Sequence, residues 1–456
     1  MILGFAGNYK GDIVAGATEP DPKMDNELRI GISMKNSYTD LSFEEDYHLT
    51  DRNSEVIQDI SPGRYRFYKD NGGIKVVDRQ GSAKGVFEAP LFLEPVASPA
   101  YEYSFLIHNA SKGSEYRGLL EITGDKGSII AANVLDIEYY LKGVVPCEMP
   151  TSWGNYGGME ALKAQAVAAR TYAIFNKNER DQDYYNVCDT EYTQVYGGKE
   201  AETDNTDIAV EETKGELLQY NGSLIQPYYY ATSGGYTERS ENVWSTSLPY
   251  LKSVHDPYDD PDNPQGISNM VVHPHARWKA TIPASSIAEL MQQNHRSISG
   301  DVEQVIVASN FSSGRVEELR IVENGGAVSF FKEEARYALG LRSQHFTVEE
   351  DLKEDVWVAS SITGSQQKKS LSELEGKWIA AGTGKKEMLT SNNLKVLGRD
   401  GSISQVLRKA FVFKGKGWGH GVGMSQNGAY NRSRDGHCYQ EILSFYYPGT
   451  SLTKNR

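Results

Sequence analysis

From Leu28 onward, apolar and polar residues alternate. Leu28, Ile30 and Ile32 are interleaved with Arg29 and Gly31, the period of a half-buried strand. Short apolar runs continue between the turn signals Asn71-Gly72-Gly73, Gly81-Ser82 and Gly124-Asp125, so residues 27–133 read as a β-rich N-terminal domain. Before them, residues 1–26 are polar, carry Glu19-Pro20-Asp21-Pro22 and read as an irregular tail. Asp136 reads as the N-cap of a helix over Ile137–Lys142 that stops at Gly143. A loop holding Val145-Pro146-Cys147-Glu148-Met149-Pro150 follows. Next comes a predicted helix from Gly158 to Asn176. Its Met159, Leu162, Ala166, Ala169 and Ala173 share one side at spacings of three and four.

Leu217–Tyr220, Asn221-Gly222 and Ser223–Ile225 form a hairpin signal, and Tyr228-Tyr229-Tyr230 runs as a strand into the glycine loop at Ser233-Gly234-Gly235. His255 to Gly266, rich in Asp and Pro, reads as a surface loop. Ser285–His295 and Glu333–Leu339 read as helices, and Val305–Ala308 and Leu319–Val322 as strands. These elements divide the chain into a core over 134–260, a second lobe over 261–350, a polar β excursion over 351–410 and a glycine-rich return over 411–456. The predicted class is α+β, with a long helix and glycine-rich loops lining a groove.

Composition narrows the function classes. The chain has 456 residues, a net charge of −14 and a mean hydropathy of −0.52. The acidic balance disfavours nucleic acid, whose phosphates need a basic face, and leaves an uncharged glycan as a possible ligand. No apolar run of about 18 residues is present. The apolar start Met1–Gly7 lacks a basic flank and does not read as a signal peptide. Cys147, Cys188 and Cys438 are too few and too scattered for a disulfide framework. The 28 tyrosines suit both β structure and sugar rings.

Two segments carry candidate chemistry. One holds Glu148. The other, Gly417-Trp418-Gly419-His420-Gly421-Val422-Gly423-Met424-Ser425-Gln426, is glycine-rich enough to bring backbone N–H groups and a histidine against a ligand. With Tyr140–Val145, Glu148-Met149-Pro150, Glu160–Ala173, Gln194–Gly198, Ser233-Gly234-Gly235, Leu339–Ser343 and Phe445–Gly449 in the same order, the chain resembles the stage II sporulation protein D and amidase-enhancer family of bacterial envelope proteins over about residues 130–450.

The resemblance implies a lytic transglycosylase that cuts peptidoglycan strands stripped of stem peptides, in spore engulfment or envelope remodelling. It also implies a place outside the cytoplasmic membrane and an N-acetylmuramoyl-L-alanine amidase as partner. Glu148, in the Glu-Met-Pro motif, is the implied catalytic acid. Its apolar neighbours would raise its pKa.

Candidate substrate-binding residues are Gln165, Arg170, Ser233, Gly234, His420 and Gln426. Arg170 reads equally as half of a structural ion pair, and Ser233 as the cap of a turn. Some members of the family bind zinc through a cysteine pair. This chain has Cys188 but Thr193 where the second is expected, so no metal and no other cofactor is expected. His273, His275 and His295 carry no metal-ligand pattern. Two further readings remain: a glycan-binding modifier that stimulates an amidase, and a hydrolytic glycosidase with Asp189 as second carboxylate.

Overall fold

A computed structural model describes residues 26–70, 73–110, 115–125, 128–180, 184–262, 269–298, 302–352 and 409–454, with six short strands between Asp355 and Gln405. The tail expected at the N-terminus lies outside the described residues, as does most of 351–410. The chain contains both helices and many strands, an α+β composition. It divides into two compact units. One comprises residues 1–240, 247–273 and 421–456, and the other 241–246 and 274–420.

The first unit contains a seven-stranded and a six-stranded sheet. The strand Glu27–Asn36 pairs antiparallel with Ser128–Asp136, and Leu28, Ile30 and Ile32 are all buried, as their alternation predicts. Its other edge pairs in parallel with Val187–Cys188. Ser128–Asp136 leads directly into helix α1, Ile137–Glu148, whose N-cap Asp136 accepts from the Glu138 N–H at 2.8 Å.

The helix does not stop at Gly143. That glycine serves close packing instead. A Cβ there would run into the Tyr196 ring and the Gly198 carbonyl, and the Gly143 carbonyl accepts from the Gly197 N–H at 3.0 Å. The helix continues through Pro146, and Glu148 is its last residue rather than part of a loop.

Helix α2, Met159–Glu179, begins where the sequence places it. It is buried nearly all round from Ala161 to Ala173, not on one side only. Its alanines let α1, helix α3 (Asp204–Glu212), the strand Glu216–Tyr220 and the helices Gln426–Arg434 and Tyr439–Tyr446 all pack against it. The predicted hairpin forms from Glu216–Tyr220 and Ser223–Leu224. Asn221 and Gly222 at its turn both have positive φ, the type I′ geometry.

In the second unit, Val302–Asn310, Val316–Glu323 and Gly326–Phe331 form an antiparallel sheet. Helix Ala284–Gln293 and the helical turn Glu334–Tyr337 add Ile287, Met291 and Ala335 to its core. The strand Lys409–Lys416 lies between Arg277–Pro283 and Phe346–Leu352. His420 belongs to this unit and packs its ring 5.2 Å from that of Trp244.

Candidate functional site

Glu148 is buried at the C-terminal end of α1. The Val195 N–H donates to its Oε1 at 3.3 Å, and the side chains of Gln426 and Tyr229 also hydrogen-bond to it. Burial is the largest influence and pushes its pKa up to about 7; those three contacts pull the other way. The partial negative charge at a helix C-terminus acts in the same direction as burial. None of these hydrogen-bonding partners is a carboxylate.

The proton directions around the site are fixed by what each group can donate. Gln194 Nε2 donates to the Ala169 carbonyl at 3.3 Å and to Tyr229 Oη at 2.9 Å. Tyr140 Oη donates to Gln194 Oε1 at 3.3 Å. Tyr229 therefore accepts from Gln194, and its one proton is free to go to Glu148. The Val195 N–H can only donate to Glu148, whereas the Tyr229 hydroxyl, like any phenol, can donate to the carboxylate or accept from the acid. Gln426, an amide, can donate to the carboxylate or accept from the acid, and its bond to the charged form is the stronger, so the contact on balance favours the carboxylate.

Distant segments converge here by backbone pairing. Tyr229–Tyr230 pairs in parallel with Met424–Ser425, which puts the Tyr229 strand beside the start of the helix Gln426–Arg434. Ser425 caps that helix, its hydroxyl accepting from the Gly428 N–H at 3.2 Å. Gly423 allows the crossing: its φ is +81°, and a Cβ would strike the Tyr228 carbonyl. Gly423→Ala is expected to cost at least about 1–3 kcal/mol from backbone strain, with loss of the Tyr229–Met424 pairing. Denaturant unfolding, together with amide exchange of Met424, checks this. Unchanged exchange would show that the crossing tolerates a side chain.

Of the residues singled out from sequence, Glu148 and Gln426 meet. Arg170 is fully buried and forms a bidentate pair with Glu138, from Nε at 2.9 Å and from Nη2 at 2.7 Å. It also donates to Thr213 Oγ1 and to the Val210 and Glu216 carbonyls. Of its two readings, this geometry is that of the structural ion pair. Gln165 is fully buried on α2, with neither amide atom hydrogen-bonded among the described residues.

Ser233 and Gly234 are buried. The Ser233 hydroxyl accepts from the Gly235 N–H at 3.1 Å, a turn cap. Asp189 is buried beside the short strand Val187–Cys188. Sequence reasoning missed Tyr229 and the Val195 N–H as partners of Glu148, and Gln194 as the donor behind Tyr229, although each lies in a segment already noted for its pattern.

The three cysteines form no disulfide among the described residues. Cys188 does not fit a zinc site. Thr193 fills the adjoining space, its hydroxyl donating to the Cys188 carbonyl at 2.8 Å and lying 3.4 Å from the thiol. Among the described residues, no three His, Cys, Asp or Glu side chains stand together as a metal set.

The loop at 255–262, expected to be a surface feature, buries Asp256 and Asp259. Asp256 accepts from Arg432 Nη2 at 3.0 Å and from the Tyr446 hydroxyl at 2.5 Å. Its pKa is pushed up to about 6, chiefly by burial and opposed by Arg432. Both aspartates draw their partners from segments far along the chain.

Comparison with known proteins points one way. The family model described as Stage II sporulation protein matches residues 125–220, and a domain of unknown function (DUF8618) matches 238–365. The amidase enhancer of Bacillus subtilis is 34% identical over 327 residues, 69% of this chain and 40% of that protein. An uncharacterized protein of Brachyspira hyodysenteriae is 30% identical over 342 residues, 75% of this chain and 73% of that one. The stage II sporulation protein D of Bacillus subtilis is 27% identical over 335 residues, 70% and 75% of the two chains. The chain thus spans well under half the length of the amidase enhancer.

Proposed function

The chain belongs to the stage II sporulation protein D and amidase-enhancer family, and on that premise we propose that it is a peptidoglycan lytic transglycosylase with Glu148 as its single acid and base. One observation carries this reading: a buried glutamate with a pKa near 7, held by donors and an amide rather than by a second carboxylate.

Protonated Glu148 gives its proton to the oxygen joining C1 of N-acetylmuramic acid to N-acetylglucosamine. The C1–O bond breaks, and N-acetylglucosamine leaves with a free hydroxyl. Oxygen 6 of the muramic acid bonds to C1, and its proton passes to the Glu148 carboxylate. The acid is regenerated, a 1,6-anhydro ring is formed, and no water is consumed. Tyr229 and the Val195 N–H steady the carboxylate between the two transfers. Gln426 follows it by presenting either end of its amide. Arg170 braces the helices around the site instead of touching sugar, and His420 is retained as a glycan-binding candidate.

The substrate is glycan stripped of stem peptides, and the place of action is the cell envelope outside the cytoplasmic membrane. No helix among the described residues is long and apolar enough to cross a membrane. The name of the amidase enhancer supports an amidase as partner.

Purified protein incubated with such strands is expected to release 1,6-anhydro-muramic ends, detected by mass spectrometry. Glu148→Gln is expected to lower the rate by about 100-fold or more. Binding without products from the wild-type protein would instead favour the non-catalytic modifier of a partner amidase. Products with reducing ends would favour hydrolysis.

A further inference from the structure

We propose that Asp259 is a positioning residue for Glu148, clamping together the two chain segments that deliver Tyr229 and Gln426 to it. The proposal rests on the reading of Glu148 as the acid, but its test does not need turnover.

Asp259 is buried and accepts four hydrogen bonds. Its Oδ1 takes the Thr232 hydroxyl at 2.8 Å and Asn427 Nδ2 at 2.8 Å. Its Oδ2 takes the Ser425 hydroxyl at 2.6 Å and the Ser233 N–H. Thr232 and Ser233 immediately follow the Tyr229–Tyr230 strand, and Ser425 and Asn427 flank Gln426. One carboxylate thus ties the exit of the Tyr229 strand to both neighbours of Gln426.

The clamp also sets where the helix begins. Because the Ser425 hydroxyl sends its proton to Asp259, its lone pairs are left for the Gly428 N–H, and the helix starts at Gln426. This holds the Gln426 backbone where its side chain reaches Glu148.

All four partners donate in this arrangement, and two of them, a backbone N–H and an amide NH2, can do nothing else. An asparagine at 259 has no good orientation. Its NH2 would face either the Ser233 N–H or the Asn427 NH2. Asp259→Asn therefore loosens the clamp while nearly preserving shape. Asp256 and Tyr446 interact electrostatically with Asp259, and Tyr140, Tyr172 and Tyr229 with Glu148.

The sign of the effect separates positioning from simple charge removal. Taking away a negative charge would ease ionisation of Glu148 and move its titration down. Releasing Gln426 removes a contact that favours the carboxylate and moves it up.

The titration of Glu148 can be read, without substrate, from the pH dependence of the stability difference between each protein and its Glu148→Gln counterpart. In Asp259→Asn the midpoint is expected to rise by about one pH unit. Ser425→Ala, which keeps Asp259 but cuts its link to the residue before Gln426, is expected to move it the same way and also serves if Asp259→Asn does not fold. A midpoint that stays in place or falls in the variants that fold overturns the proposal. Absence of anhydro products from the wild-type protein would overturn the catalytic reading alone and leave this result standing.

Discussion

Glu148→Gln is expected to make the protein more stable at pH 8 by up to about 3 kcal/mol and, on the proposed mechanism, to remove cleavage of glycan. The folded-state pKa of Glu148 is raised from 4.5 to about 7, mainly by burial. Between those values the folded protein binds a proton that the unfolded chain has already lost. Stability therefore falls as pH rises through this window and stays at its lower level above about pH 7. Glutamine mimics the neutral acid and bears no such cost. Denaturant unfolding across pH 4–8 should give two curves that coincide near pH 4 and separate to their widest near pH 8. Coincident curves throughout would mean that the carboxylate is not penalised in the fold. The same titration governs the chemistry: kcat/KM should decline above about pH 7, because the first step needs the acid form. A residue that weakens the fold at working pH yet is held by three contacts is what the proposed acid role predicts, stability given up for function.

Sequence reasoning succeeded where local and tertiary demands agree. Leu28, Ile30 and Ile32 alternate because one face of their strand is buried, and Asn221-Gly222 makes a turn because only such residues adopt its positive φ readily. It failed where a long-range contact reassigns a local signal. Gly143 looks like a helix stop but is a slot for the Tyr196 ring.

Gly428 hides the helix that begins at Gln426. Glycine is a poor helix former, but one is required at 428 because a Cβ there would meet the Tyr446 hydroxyl and the Asp256 carboxylate. The Ser425 cap was a readable signal, outweighed by the glycines around it. The aspartates at 256 and 259 look solvated in sequence, since the donors that permit their burial come from Thr232, Ser425, Asn427 and Arg432. Within the site, the burial of Glu148 was legible from its sheltering neighbours. Its tyrosine and backbone partners were not, because parallel pairing of Tyr229–Tyr230 with Met424–Ser425 leaves no local pattern.

Arg170→Ala is expected to destabilise the first unit by about 3–5 kcal/mol, among the largest single losses the fold should show. The guanidinium is fully enclosed and joins Glu138 of α1 to α3 and to the strand Glu216–Tyr220. Removing it strands the Glu138 carboxylate, which keeps the Gly215 N–H at 3.0 Å but loses its countercharge. Lysine is a poor replacement, since a point charge cannot make the forked contact. Adding Glu138→Gln to Arg170→Met should recover part of the loss, with a coupling of about 0.5–3 kcal/mol in a double-mutant cycle. A residue that instead bound sugar would behave otherwise: Arg170→Lys would raise KM with little change in unfolding, and the cycle would show no coupling to Glu138. Because α2 also supplies the Ala169 carbonyl that orients Gln194, slippage of this helix should reach Glu148 through Tyr229. The loss of stability should therefore come with a fall in kcat in whatever fraction remains folded.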